Sequence, residues 1–262
     1  MLNFDFVKPS TIADAVAALG QDGAQALSGG QTLTPTMKQR LASPSVLVSL
    51  TGIAEMKGVC LGSEGLSIGA ATTHATVAAE ARAYYPALAD LAGGIGDPMV
   101  RNRGTIGGSV ANNDPAACYP SAVLASGATV VTNKRKIAAD DYFQGMFSTA
   151  LEEGEIITGI TFPVPEKAAY VKFNQPASRF ALTGVFVAKY AGGVRVAVTG
   201  ASNDGVFRWS EAEAALSANF APSAVEGLTV DADGLISDLH GTAAYRANLV
   251  KVLTKRAVAA AN

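Results

Sequence analysis

An α+β fold in two domains is what this sequence predicts, on three observations. Short stretches with helical spacing and short β-rich stretches intermingle as far as Phe162. Pro163 and Pro165 then punctuate the chain. Beyond them lie three strand-like runs, the last two meeting in a tight turn at Gly192-Gly193 that makes the meander antiparallel, and two helical stretches. With 262 residues the chain is long enough to bury the cores of two domains.

Thr11-Ile12-Ala13-Asp14 fits a capping box, and Ile12, Val16 and Leu19 share one face of a short helix that ends at Gly20. Ala24 to Leu27 reads as a strand running into Ser28-Gly29-Gly30-Gln31-Thr32, after which Pro35 opens a helix with Met37 and Leu41 on one side. Val46 to Leu50 and Leu66 to Ile68 read as strands, Val77 to Ala81 and Pro86 to Leu91 as helices. From Gly93 to Pro120 glycine, proline, Asn and Asp are dense enough that a long functional loop is expected. A helix from Tyr119 to Ser126 and strands from Ala128 to Thr132 and Ile156 to Phe162 close the first part. Tyr170 to Phe173, Val185 to Tyr190 and Val194 to Ala201 make the three-stranded antiparallel sheet. Helices at Glu211 to Ala218 and Thr242 to Ala260 complete the chain, the second with Tyr245, Leu249, Val252 and Val258 turned inward.

Composition narrows the function. Apolar residues are 49% and charged residues 16%, a charge content low enough to leave surface for neighbouring subunits. A net charge of -2 without runs of like charge offers no broad footprint for nucleic acid or an anionic membrane. Cys60 and Cys118 are the only cysteines, too few for an iron–sulfur cluster, so any cluster belongs to another chain. The start, Met1 to Phe6, lacks the features of a secretory signal, and no apolar run spans a bilayer, so a cytoplasmic protein is expected. His74 and His240 are the only histidines and no HExxH occurs, so no metal site is expected. Asp231-Ala232-Asp233-Gly234 has its glycine too early for a calcium loop and reads as a hairpin turn.

Two segments carry chemistry: Ser28-Gly29-Gly30-Gln31-Thr32 and Thr105-Ile106-Gly107-Gly108-Ser109. Glycine lets backbone N–H groups approach an oxyanion, and the flanking hydroxyls add neutral donors. The first segment also precedes a helix, whose free N–H groups favour negative charge. An isolated glycine pair is ordinarily a turn, and neither GxGxxG nor GxxxxGK[ST] occurs, which disfavours Rossmann-type nicotinamide binding and P-loop hydrolysis.

A family resemblance adds to this reading. Leu27 to Leu33, followed by Met37-Lys38-Gln39-Arg40-Leu41-Ala42, resembles the first flavin loop of the FAD-binding medium subunits of molybdenum hydroxylases, the family of carbon monoxide, xanthine, nicotine and caffeine dehydrogenases. Gly96 to Ala111, continuing through Asn113-Asp114-Pro115-Ala116-Ala117, is similar to the second loop. Ile68 to His74 and Lys172 to Ala181 extend the likeness over essentially the whole chain. The resemblance implies a vanillyl-alcohol-oxidase (PCMH)-type FAD-binding domain at 1–166, in two α+β subdomains of about 1–52 and 53–166, and a carbon monoxide dehydrogenase flavoprotein-like domain at 167–262.

It also implies residue roles. Ser28, Gly29, Gly30, Gln31, Thr32, Leu33 and Thr34, with Thr105, Ile106, Gly107, Gly108 and Ser109, match the loops around the FAD phosphates and ribityl chain, and Asp114 matches an acceptor for cofactor hydroxyls. Ile95, Ile157 and Phe180 match positions near the flavin ring, where Lys172 or Asn174 supplies a polar contact. Many relatives have Asp where this chain has Cys118, which reads as a small buried residue. Arg101 and Arg103 either touch phosphate or a partner, or tie down backbone carbonyls. FAD is expected to be non-covalent, with no catalytic side chain here. Molybdopterin is expected in a large partner and [2Fe–2S] clusters in a small one, as a dimer of heterotrimers, with NAD, a quinone or oxygen as electron acceptor. Two other readings compete: a self-sufficient flavin oxidase or reductase, and a scaffold subunit that has lost FAD.

Overall fold

The structure is a computed structural model that describes residues 1–261. Three sheets organise it. Strands β1 (Asp5–Val7), β2 (Ala24–Leu27) and β3 (Val46–Ser49) form a small parallel sheet in the order β1-β3-β2, on which helix α1 (Ile12–Leu19) packs. The Thr11 hydroxyl caps α1 by accepting the Asp14 N–H at 3.1 Å, as the capping box predicts. Helix α2 (Leu33–Lys38) starts two residues before Pro35 and ends before Leu41, which is 75% exposed and does not share the buried side of Met37.

The second sheet is antiparallel: β4 (Val59–Gly62), β5 (Gly65–Gly69), β8 (Ile157–Phe162), β6 (Thr129–Thr132) and β7 (Lys136–Ala138), in that order. Between β5 and β6 the chain makes α3 (His74–Glu80), α4 (Pro86–Gly93), α5 (Pro98–Arg101), α6 (Ile106–Asn112) and α7 (Tyr119–Ala125), and α8 (Ala139–Tyr142) follows β7. The expected long loop from Gly93 to Pro120 is therefore corrected, since α5 and α6 lie inside it. Asp97 caps α5 by accepting the Val100 N–H at 3.0 Å, Pro98 supplies its first residue, and Thr105 caps α6 through the Gly108 N–H. Those caps outweigh the low helical preference of two glycines.

The third sheet has four strands rather than the expected three: β9 (Lys167–Asn174), β10 (Ala181–Tyr190), β11 (Gly193–Ser202) and the short β12 (Gly205–Arg208), antiparallel in the order β12-β11-β10-β9. Tyr190 pairs with Gly193, leaving Ala191 and Gly192 as the two-residue turn. Strand β10 is buried on both faces: Val185 and Val187 join the core under α9 (Ser210–Ala218) and α10 (Ala243–Ala260), while Phe186 and Ala188 join the core of the preceding residues. On α10, Leu249 and Val258 are buried as predicted, Val252 is half-buried and Tyr245 is exposed against Phe173. Asp231 to Gly234 forms a turn closed by the Asp233 N–H on the Asp231 carboxylate at 3.0 Å, but it leads to a single bridge residue, Leu235, instead of a second strand.

Candidate functional site

A cavity of about 570 Å³ opens where the three sheets converge. That is within the range of roughly 300–1,000 Å³ for small-molecule and cofactor sites. The two glycine segments form one end of it. Gly29 lies so close to the second segment that a Cβ there would meet the Arg103 carbonyl oxygen at 2.2 Å, and Thr105 donates its hydroxyl hydrogen to Ser28 Oγ at 2.8 Å. Sequence alone makes both segments candidates for phosphate, the first with the added advantage of a following helix, and the structure divides the labour between them.

In the second segment the N–H groups are engaged: Ile106 donates to Thr72 O, Gly107 to Ala70 O, Gly108 to Thr105 Oγ1 and Ser109 to Thr105 O. In the first segment the N–H groups of Gly29, Gly30, Gln31 and Thr32 donate to no acceptor among the described residues. The concavity with free donors is thus the turn before α2. The second segment contributes space. A Cβ on Gly108 would touch only Thr105 Oγ1 at 3.0 Å and Ser28 Cβ at 3.8 Å, so its open side faces the cavity, whereas Gly107 is packed so tightly on Ala70 that a Cβ there would lie only 2.5 Å from the Ala70 Cβ.

The other end of the cavity is more apolar, with Ile95, Ile156, Ile157 and Phe180 in its wall. Lys172 stands there, donating to Gly94 O at 2.9 Å, Arg179 O at 2.8 Å and Cys118 Sγ at 3.5 Å. These contacts occupy all three ammonium hydrogens, so Lys172 offers the cavity a charge and no free donor. Asn174 lies on the exposed end of β9 and does not line the cavity. Cys118 is buried, as expected.

Glu155 also lines the wall and was not singled out by sequence. The Arg135 guanidinium bonded to it, together with Thr132 and the Glu152 N–H, holds its carboxyl down at about 2 despite burial. An ionised, fully engaged carboxylate is a brace and no proton donor. His74 is buried in the same wall, and burial with the Arg101 guanidinium nearby holds its imidazole down at about 4. Arg101 itself donates to the carbonyls of Ile95 and Gly96 at 3.1 and 3.0 Å, which decides its role in favour of tying down backbone. Arg103 and His240 are exposed. No cluster that could hold a metal ion occurs among the described residues, nor any helix long and apolar enough to cross a membrane.

The structure thus gathers around one cavity Ser28, Gly29, Gln31, Thr32, Leu33, Ile95, Thr105, Gly107, Gly108, Ser109, Asp114, Ile157, Lys172 and Phe180. Three expected residues do not line it. Ile106 is fully buried in the core beneath α6, Gly30 turns at φ +71° against Thr34, and Thr34 closes that turn with its N–H on Gly30 O at 3.2 Å. Arg179, beside Phe180, is a further lining residue; its neighbour in the motif was the only cue to it.

Residues 2–165 match the family described as FAD binding domain in molybdopterin dehydrogenase. The chain is 33% identical to the carbon monoxide dehydrogenase medium chain of Afipia carboxidovorans over 98% of its length and 96% of the relative's. It is likewise 33% identical to the nicotine 6-hydroxylase medium subunit of Paenarthrobacter nicotinovorans, covering 97% and 95%. Among solved structures it is similar to a carbon monoxide dehydrogenase from Hydrogenophaga pseudoflava lacking the Mo-pyranopterin moiety of the molybdenum cofactor, with a TM-score of 0.88, 33% identity and coverage of 99% and 97%.

Proposed function

This chain belongs to the FAD-binding medium subunits of the molybdenum hydroxylase-type dehydrogenases, and from that premise we propose that it carries electrons from [2Fe–2S] clusters of a small partner to an external acceptor. Substrate oxidation then falls to a large molybdopterin-binding partner. FAD, when bound, supplies the change from one-electron to two-electron transfer. The observation that carries the reading is the row of free N–H groups at Gly29, Gly30, Gln31 and Thr32, facing the open side of Gly108 across one cavity. Those donors would hold the pyrophosphate, the Ser28 and Ser109 hydroxyls would stand beside it, Thr105 would keep Ser28 in place by donating to its oxygen, and Asp114 would accept from cofactor hydroxyls. Ile95, Ile157 and Phe180 exclude water at the ring end, with the Lys172 charge beside them.

The electrostatics support an electron-transfer role. Glu155 is spent on Arg135, and His74 is buried and neutral at ordinary pH, so neither is poised to take a proton from a substrate. We place the domain boundary at 166/167, which is supported by two hydrophobic clusters, one centred on the first two sheets and one under α9 and α10. NAD, a quinone or oxygen serves as acceptor, in a cytoplasmic dimer of heterotrimers.

The test is spectroscopic. The purified chain should show a flavin visible spectrum, and heat or acid should release FAD and leave colourless polypeptide. A colourless chain supports the scaffold reading. Oxidation of an aldehyde or N-heterocycle at enzymatic rates by a chain free of molybdenum and iron supports the self-sufficient flavoenzyme.

A further inference from the structure

The C-terminal sheet is irregular at one end, and the irregular end touches the wall of the cavity. Pairing of β10 with β9 slips between Ala181 and Thr183, and pairing of β11 with β12 slips between Val198 and Ser202. Gly200 sits inside the second slip at φ +81°, where a Cβ would lie 2.5 Å from Ala181 O and 2.8 Å from Leu182 O. Only glycine closes the strands at that point. A bulge turns backbone groups out of the ladder. Here the Gly200 N–H leaves the sheet and donates to Pro115 O at 2.7 Å. Thr199, fully buried, shares its one hydroxyl hydrogen between Pro115 O at 2.9 Å and Ala117 O at 2.7 Å.

The bulges themselves are pinned from behind. Nη1 of the buried Arg246, on α10, donates to both Leu182 O and Gly200 O, and its Nη2 meets the Asp238 carboxylate at 2.8 Å. On the cavity side, Pro115 to Ala117 is the span between Asp114 and Cys118, which both face the cavity. Asp114 folds back onto the same span by accepting the Ala116 N–H at 2.8 Å. The position of this wall is therefore set from β11, across the boundary between the two hydrophobic clusters.

We propose that Thr199 is a positioning residue of the flavin site, fixing the Asp114–Cys118 wall through the carbonyls of Pro115 and Ala117, with Arg246 holding the bulges that aim it. The inference rests on the flavin reading of the cavity. In the full-length chain, Thr199→Val keeps the shape and removes the donor, while Thr199→Ser keeps the donor and removes a methyl. Thr199→Val should weaken FAD binding roughly tenfold in a fluorescence titration, the effect of one lost buried hydrogen bond. It should also shift the visible spectrum of the bound flavin, and Thr199→Ser should restore both readouts. Parent-like affinity and spectrum in Thr199→Val overturn the proposal, and so does equal weakening by Thr199→Ser, which would assign the effect to packing. Should Thr199→Val fail to fold, Arg246→Lys reads the same affinity and spectrum, and parent-like values there overturn it. A parent chain that binds no FAD overturns the flavin reading and this inference with it; a flavin-loaded parent matched by Thr199→Val removes this inference alone.

Discussion

The Thr105 hydroxyl donates to the Ser28 hydroxyl across 2.8 Å, joining residues 77 positions apart. That bond, with the backbone contact between Gly29 and Arg103-Gly104, makes one floor of two glycine segments. The same Thr105 oxygen accepts the Gly108 N–H, so the cap of α6 and the junction of the segments share an atom.

Gly29→Ala should break this floor. The added Cβ would stand 2.2 Å from Arg103 O and 2.6 Å from Gly104 Cα, both backbone, so the segments have to part. Overpacking of this kind costs about 1–3 kcal/mol. Thermal melting should show a lowered midpoint, and flavin absorbance per polypeptide should fall; an unchanged melt with full flavin content would falsify the contact.

Gly107 and Gly108 are adjacent but should respond differently. Gly108→Val directs its bulk into the cavity and crowds only Thr105 Oγ1, at 3.0 Å, so flavin content should collapse while circular dichroism is kept and the melting midpoint falls less than in Gly107→Val. Gly107→Val drives its Cβ into Ala70 and should lower stability first. Equal flavin content in Gly108→Val and parent removes Gly108 from the site.

How much of this was legible in sequence depended on how local the cue was. Thr11 with Asp14 and the glycines after Tyr190 act over a few residues, and the helix and the hairpin appeared there, although the turn residues are Ala191 and Gly192 and β10 begins at Ala181, four residues before the expected Val185. Helices α5 and α6 did not, because Asp97 and Thr105 caps are quiet beside so many glycines. The site residues recognised by motif mostly line one cavity, yet which segment keeps its N–H groups free depends on where Ala70 and Thr72 accept. Glu155 was invisible for the same reason: its partners Arg135 and Thr132 meet it only across β6 and β8.

Lys172→Met should loosen the ring end of the cavity. The substitution keeps an unbranched chain but strips the exposed carbonyls of Gly94 and Arg179 of the donor that ties them together, leaving water to replace it. Hydrogen exchange should rise in residues 175–181 and at the end of α4, with the rest of the chain unaffected. Protection equal to the parent's in both segments would show that Lys172 fastens neither.

The last prediction concerns acid. His74 opens α3, donates its backbone N–H to Gly104 O at 2.9 Å, and packs its ring so near Gly104 that a Cβ there would meet Nε2 at 2.6 Å. Its Nδ1 is buried without a hydrogen-bond partner among the described residues. Burial, with the Arg101 charge adding to it, holds the folded imidazole at about 4, against about 6.5 in an unfolded chain. Between those values the unfolded chain carries the extra proton, so stability rises with pH there. The contribution is fully present above about 6.5, falls as the pH drops toward 4, and changes no further below it. Its size is on the order of 3 kcal/mol. Because His74 supports the residue before Thr105, the same acid range should release flavin. Urea midpoints at pH 7.5 and 4.5 should therefore lie further apart in the parent than in His74→Gln, which cannot take the proton. Carboxylates titrate in both proteins, so the difference between them isolates the imidazole. Identical pH slopes in parent and variant would mean that His74 does not govern the acid sensitivity of this wall.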